Sequence, residues 1–163
     1  MKKIWLGLPL LSLLALPVAA QEKQEKEEKE DKVESRVENA GKVLKEILNA
    51  PDSIPQDVLD KADCVVILPS VLKFAIGFGG SYGRGVMTCR AGDNFRGPWG
   101  PPTMMALEGS TLRADNSANK KLYGKEIMAS EIVFKHAVQV PPSAKALLAT
   151  LQKASPKNKS TNR

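Results

Sequence analysis

The residues that could carry chemistry are one histidine, two cysteines and a glycine-rich stretch. The stretch is "GFGGSYGRG", residues 77–85, with five glycines in nine positions. A dinucleotide-binding loop needs G-x-G-x-x-G before a helix, but the sixth position here is Tyr82. A P-loop needs lysine and then serine or threonine after its second glycine, where this chain has Val86 and Met87. Neither phosphate-binding template fits.

The same glycines follow a period of two, which is typical of an extended strand. One face of that strand would carry glycines and the other Phe78, Tyr82, Arg84 and Val86; the glycines of the first face are Gly77, Gly79, Gly83 and Gly85. A strand face without side chains lets another backbone approach closely. We expect Gly80 to mark a bend between two strands, and we interpret the whole stretch as structural.

The remaining reactive groups predict no catalytic residue, no metal site and no cofactor. His136 would need Cys64 or Cys89 as a free partner to form a nucleophilic pair. Two cysteines and one histidine are too few ligands for a closed structural zinc site. Ser70 and Ser81 lie in no G-x-S-x-G elbow. The chain is therefore interpreted as a non-enzymatic protein.

The first twenty residues have the pattern of a secretory signal peptide. Lys2 and Lys3 precede an apolar run at residues 4–16, and residues 18–20 supply the small side chains of a cleavage site. The run is shorter than the roughly 20 residues that a membrane-spanning helix needs. We predict cleavage after Ala20 and export to the periplasm or the exterior.

Charge is unevenly distributed along the chain, whose formal net charge is +6. Residues 21–34 hold seven acidic residues and four lysines, whereas residues 132–163 hold six lysines or arginines and no acidic residue. The basic end suits an anionic surface such as lipid headgroups, and the alternative is that both charged ends are merely solvated. Basic residues interleaved with aromatics are lacking, so no nucleic-acid partner is expected.

Hydrophobic periodicity predicts helices at both ends of the chain and strands between them. Predicted strands cover residues 64–68, 71–80, 81–90 and 103–109, and predicted helices cover residues 33–50, 55–62 and a segment from residue 141, with a short capped helix in residues 112–124. Ser130 is expected to cap a further short turn. Residues 21–32 are predicted to be a charged, disordered or frayed helical lead-in, and residues 155–163 a disordered basic tail.

The two cysteines, Cys64 and Cys89, lie in predicted strands. Export permits a disulfide between them, and the alternative is two buried free thiols. The position of both residues in strands favours the disulfide.

Cations and aromatic residues occur together around the glycine-rich strands. We predict a lipid-binding surface from six of them: Lys73, Arg84, Arg90, Phe74, Phe78 and Trp99. Cations beside exposed aromatic rings suit an anionic headgroup above an apolar boundary. The alternative is that the aromatic rings belong to the core and the cations are merely solvated.

Several motifs together resemble the SYLF domain family over residues 36–151. They include the P-D-x-I-P turn from Pro51, the strand ending Pro-Ser-Val-Leu-Lys, the G-x-G-G-x-Y-G-x-G stretch and the R-G-P-W turn from Arg96. "VLKEILNA", "GPWGPPTMMALEG", "LRADNSANKKLYGKEI" and "VPPSAKALLATL" also fit. The resemblance implies an α+β fold, with helices around a coiled antiparallel glycine-rich sheet. It also implies binding of anionic lipid or phosphoinositide-like headgroups, although the family also carries an actin-binding name. Bacterial members often have cysteines at positions like Cys64 and Cys89, which supports their pairing.

The sequence departs from the family pattern in the middle of the domain. Leu107-Glu108-Gly109 runs directly into Ser110-Thr111-Leu112, where the family has a long glycine-rich β region. The resemblance therefore implies a truncated domain, residues 33–154, with an incomplete sheet. Its unpaired strand edges would permit self-association. The alternatives to lipid binding are a structural or protein-interaction module of the cell envelope, or a non-functional, internally deleted copy.

Overall fold

The computed structural model describes residues 18–76 and 78–160, without side chains for residues 18–31 and 74–78. The helices are α1 (Val18–Asn49), α2 (Gln56–Lys61), α3 (Asn116–Tyr123), α4 (Ala129–Lys135) and α5 (Lys145–Ala154). The strands are β1 (Cys64–Ile76), β2 (Phe78–Cys89), β3 (Thr103–Gly109) and β4 (Thr111–Ala114). Residues 1–17 of the predicted signal peptide lie outside the described residues, and that prediction and the domain boundaries stay predictions.

The α+β class predicted from the resemblance is confirmed. The four described strands form one antiparallel sheet in the order β1-β2-β3-β4, and the sheet does not close. Helix α1 begins at Val18, so the charged lead-in takes the helical alternative. The spacing of its apolar residues predicts one buried face, on which Val33, Val37, Ala40 and Leu44 are buried, whereas Leu48 is half-buried and Ile47 is 42% exposed. This face packs with Leu147 and Leu151 of α5 and with Val86 and Met104 of the sheet to form the core.

The first two strands are longer than the sequence indicates. β1 runs through Pro69 as one strand, and the ladder with β2 extends to the pair formed by Ile76 and Phe78. The expected bend at Gly80 is wrong, because Gly80 pairs with Phe74 inside the ladder. Proline is tolerated inside β1 because the register shifts between Ile67 and Ser70, and a bulge does not require its missing N–H.

The glycines of β2 permit this bulge. Gly85 lies opposite two residues of β1, Leu68 and Pro69, and a Cβ atom at Gly85 would lie 2.0 Å from the Ile67 carbonyl oxygen. A Cβ at Gly83 would lie 2.9 Å from the Ser70 carbonyl oxygen. The interpretation of these two glycines as positions of close backbone approach is confirmed.

The junction at which the family pattern is interrupted forms a tight hairpin. Glu108 of β3 pairs with Thr111 of β4, and Gly109 between them has a positive φ of 65°. This conformation favours glycine. β4 is exposed, and among the described strands it pairs only with β3.

Of the two short helices after the sheet, α3 begins and ends as the sequence predicts, whereas α4 does not begin at the predicted cap. Asp115 caps α3 by accepting a hydrogen bond from Ala118 N, and Gly124 ends it in the left-handed conformation, as the sequence indicates. The cap expected at Ser130 is wrong. α4 begins at Ala129, so Ser130 lies inside the helix. The helix start is stabilised because the carboxylate of Glu131 accepts a hydrogen bond from the backbone N–H of Met128.

A disulfide joins Cys64 and Cys89, which are paired residues on β1 and β2. It confirms the predicted pairing. By the loop-entropy estimate, closing a loop of this length contributes about 3 kcal/mol to stability.

Residues 155–160 differ from the predicted disordered tail. Ser155 is buried, and its hydroxyl lies 2.8 Å from Asp60 Oδ1 and accepts a hydrogen bond from Arg90. Lys159 Nζ donates to Asp60 Oδ2 at 2.7 Å, and Asn158 donates to Asp63. The segment is ordered because it supplies further partners to the charged side chains of Asp60, Asp63 and Arg90.

The buried carboxylate of Asp60 makes stability depend on pH. Hydrogen bonds from Lys159 and Ser155 lower the pKa of Asp60 from its ordinary 3.8 to about 2. A lowered pKa stabilises the fold above the ordinary value, and this contribution is lost as the pH falls from about 4 to about 2. We expect the urea midpoint of the wild type to fall over this range more steeply than that of Asp60→Asn. The control is Asp57→Asn, which removes an exposed carboxylate of the same helix. If Asp60→Asn and the wild type have parallel pH profiles, the network does not act in this way.

Candidate anion-binding groove

A groove of about 540 Å³ lies between α1 and the sheet. We call it the α1–sheet groove. α1 contributes Lys32, Ser35, Arg36 and Asn39; the sheet contributes Pro69, Ser70, Leu72, Tyr82, Gly83, Arg84, Leu107 and Glu108. The helical positions are spaced by three and four residues, which places them on one side of α1 beside its buried face. Three cations and one carboxylate line the groove, so its formal charge is positive.

Two arginines of the groove converge on one carboxylate. Arg36 comes from α1, Arg84 from β2, and Asp115 from the junction between β4 and α3. Arg84 Nη1 donates to Asp115 Oδ2, and Arg36 Nη1 lies 4.0 Å from the same oxygen. Ser117 Oγ and Ala118 N donate to Oδ1 at 2.9 and 3.1 Å. Arg36 Nη1 is buried and makes no hydrogen bond.

Burial and pairing act in opposite directions on these groups. Burial raises the pKa of Asp115, but the hydrogen bonds from Ser117, Ala118 and Arg84 outweigh it, and the net pKa lies below the ordinary value. Burial lowers the pKa of Arg36, and the charge of Asp115 opposes this shift. An arginine keeps its charge despite such a shift, because its ordinary pKa lies far above neutral pH. The groove therefore holds fixed positive charge at neutral pH.

Apolar side chains border this charge on its exposed side. Leu72 and Tyr82 are directly opposite each other on β1 and β2, and both are exposed. An arrangement of cations next to exposed apolar side chains suits a ligand with an anionic head and an apolar body.

The structure places the six predicted lipid-binding residues in different environments. Arg84 lines the α1–sheet groove, and Lys73 is exposed on the same hairpin. The side chains of Phe74 and Phe78 lie outside the described residues.

Arg90 and Trp99 do not belong to an exposed surface, and this expectation is corrected. Arg90 is 0% exposed and Trp99 is 5% exposed. The guanidinium carbon of Arg90 lies 4.2 Å from the centre of the Trp99 ring, and Arg90 also donates to the carbonyl oxygens of Ala62 and Ser155. The two residues therefore stabilise the junction between β2, α2 and the segment after α5.

Sequence reasoning missed most of the groove. Lys32 and Arg36 are four positions apart and lie beside the buried face of α1. This spacing could have indicated a cationic strip along the helix. Asp115 was recognised only as part of a capped helix. Its approach to Arg36 and Arg84 depends on how three distant segments pack, which periodicity does not reveal.

The chain is a small, disulfide-linked α+β domain with a positively charged groove between α1 and the sheet. Residues 103–154, about a third of the chain, match the model of the family described as "Ysc84: Las17-binding protein actin regulator". This is the SYLF family, so the resemblance is confirmed over the segment from β3 to α5. The resemblance of residues 36–102 lies outside this match.

No curated protein and no solved structure matches the chain. Within the part of the chain that the structure describes, none of the helices is long and apolar enough to cross a membrane. In the same residues, no three or more histidine, cysteine, aspartate or glutamate side chains group as a metal site. His136 is exposed and ends α4 with a positive φ of 48°.

Proposed function

We propose that the chain is an exported, non-enzymatic protein that binds anionic lipid headgroups in the α1–sheet groove. The observation that carries the proposal is the position of Arg36 and Arg84 in the groove, beside the exposed side chains of Leu72 and Tyr82. Headgroup charge would be attracted by the two guanidinium groups, while the two apolar side chains would enter the boundary of the bilayer.

The family match and the disulfide agree with this proposal. SYLF proteins form a binding-domain family, and a disulfide suits an oxidising compartment. The family description refers to actin regulation. An exported protein would be separated from actin, so we propose lipid as the partner.

Flotation with vesicles tests the proposal. We expect the purified protein to float with phosphatidylglycerol-containing vesicles and to stay behind with pure phosphatidylcholine vesicles. Arg84→Gln should weaken binding about fivefold, because one cation near a charged membrane is worth about 1 kcal/mol. Arg96→Gln removes the same charge from an exposed arginine outside the groove and should change binding little. Equal flotation with both vesicle types, or none with either, contradicts the proposal.

A second candidate is a protein-interaction module of the cell envelope. The observation that favours it is the exposed strand β4, whose outer edge offers unpaired backbone groups to another chain or a second copy. Salt distinguishes the two candidates in the same flotation experiment. Headgroup attraction is screened at high salt, whereas strand pairing with a protein partner is not.

A further inference from the structure

Asp115 occupies the point to which both groove arginines are directed. Its Oδ2 atom accepts a hydrogen bond from Arg84 and lies 4.0 Å from Arg36 Nη1. An anionic ligand in the groove would need the same donors. The protein thus carries an internal carboxylate where the proposed ligand would place its own charge.

Arg84 is free to leave this carboxylate, whereas Asp115 is fixed. The side chain of Arg84 is 51% exposed, and that of Asp115 is 6% exposed. Arg84 lines both the α1–sheet groove and a smaller depression of about 340 Å³ that contains Asp115 and Ser117. A rotation of the arginine side chain would therefore move its charge from the depression into the groove.

Asp115 keeps other partners when Arg84 turns away. Ser117 Oγ and Ala118 N still donate to Oδ1, and the charge of Arg36 still lies 4.0 Å from Oδ2. The buried carboxylate is then not left uncompensated, so the exchange of Arg84 between two anions costs little.

We propose that Asp115 competes with the anionic headgroup for Arg84 and so sets the affinity of the groove for the membrane. This inference rests on the proposed function. Asp115 acts as an internal counter-ion, and the headgroup binds by displacing it from Arg84. The negative charge of Asp115 therefore holds the wild-type affinity below what the two arginines alone would give.

Asp115→Asn separates this role from helix capping. Asparagine is as good a cap as aspartate, so the bond to Ala118 N is retained while the charge is removed. We expect Asp115→Asn to bind phosphatidylglycerol vesicles about fivefold to tenfold more tightly than the wild type, since removing a charge about 4 Å away changes the interaction by that order. Asp57→Asn, an exposed aspartate of α2 outside the groove, is the charge-matched control.

A double variant tests whether the competition acts through Arg84. In the Arg84→Gln background, Asp115→Asn should give a clearly smaller gain, because Arg36, whose Nη1 lies 4.0 Å from Asp115 Oδ2, is then the groove guanidinium left beside that carboxylate. A gain of undiminished size without Arg84 would show a general electrostatic effect and overturn the inference. Equal affinities of Asp115→Asn and Asp57→Asn would overturn it too. Both results leave the proposed function standing if the wild type still prefers anionic vesicles.

A third set of measurements provides a replacement variant in case Asp115→Asn does not fold, and identifies the anion that binds. If Asp115→Asn does not melt cooperatively, Asp115→Ser retains a capping oxygen without charge and replaces it. In the wild type, the side-chain carboxyl carbon resonance of Asp115 should move as phosphatidylglycerol vesicles are added. An unchanged resonance in a vesicle-bound protein overturns the inference. Movement of this resonance with inorganic phosphate, but not with phosphatidylglycerol vesicles, overturns the assignment to a lipid headgroup.

Discussion

Replacing Gly85 with valine is expected to lower the free energy of unfolding by about 4 kcal/mol or more. A Cβ atom at this position would lie 2.0 Å from the Ile67 carbonyl oxygen and 2.9 Å from Leu68 Cα. Both are backbone atoms, so no side-chain rotation can relieve the overlap. The bulge of β1 or its pairing with β2 would have to open, and chemical denaturation monitored by circular dichroism measures the loss.

Gly80→Val is the matched control on the same strand. There the nearest atom to a new Cβ is on the flexible Tyr82 ring, at 3.4 Å. Its free energy of unfolding should stay within about 1 kcal/mol of that of the wild type, because valine also suits a strand. Equal stability of the two valine variants would contradict the close approach of β1 and β2 at the bulge.

Replacing Arg90 with methionine is expected to cost about 3–5 kcal/mol, the usual range when one member of a buried charged network is removed. The side chain of Arg90 donates to Ser155 Oγ at 2.6 Å, to Ser155 O at 3.0 Å and to Ala62 O at 3.2 Å. Methionine fills similar space but donates to none of these acceptors. Thermal and urea unfolding measure the effect.

The Arg90 variant also separates a structural role from a role in binding. Arg96→Met changes an exposed arginine in the same way, and its thermal and urea midpoints should equal those of the wild type. Under conditions in which it is folded, Arg90→Met should bind anionic vesicles as the wild type does, since Arg90 is buried away from the α1–sheet groove. Weakened vesicle binding with unchanged stability would show that Arg90 takes part in lipid binding after all.

Local patterns predicted the elements of this fold better than their joins. The apolar spacing on α1 from Val33 to Leu44, the strand at Thr103–Gly109 and the short capped helix within residues 112–124 are features of short segments, and each is confirmed. Pro69 was interpreted as the end of a strand, because a proline usually interrupts a ladder. The chain instead accommodates it in a bulge, which needs Gly85 on the neighbouring strand.

The candidate site was predicted only in part, for a physical reason. Arg84 was predicted because it is a cation among the aromatic residues around the glycine-rich strands. Arg90 was predicted for the same reason, and the residues next to it in sequence do not indicate that it is buried. The burial of Arg90 depends on Trp99 and Ser155, which lie 9 and 65 residues further on. Composition identifies a cation, but packing decides whether that cation faces solvent, a counter-ion or an aromatic ring.

The buried network also orders events during synthesis of the protein. Asp60 and Ser155, whose side chains lie 2.8 Å apart, are separated by 95 residues. Until residue 155 has left the ribosome, the carboxylate of Asp60 and the guanidinium of Arg90 lack their buried partner. The growing chain therefore cannot complete its core from the N-terminal side alone. Completion of this core is deferred until the segment that carries Ser155 has been made.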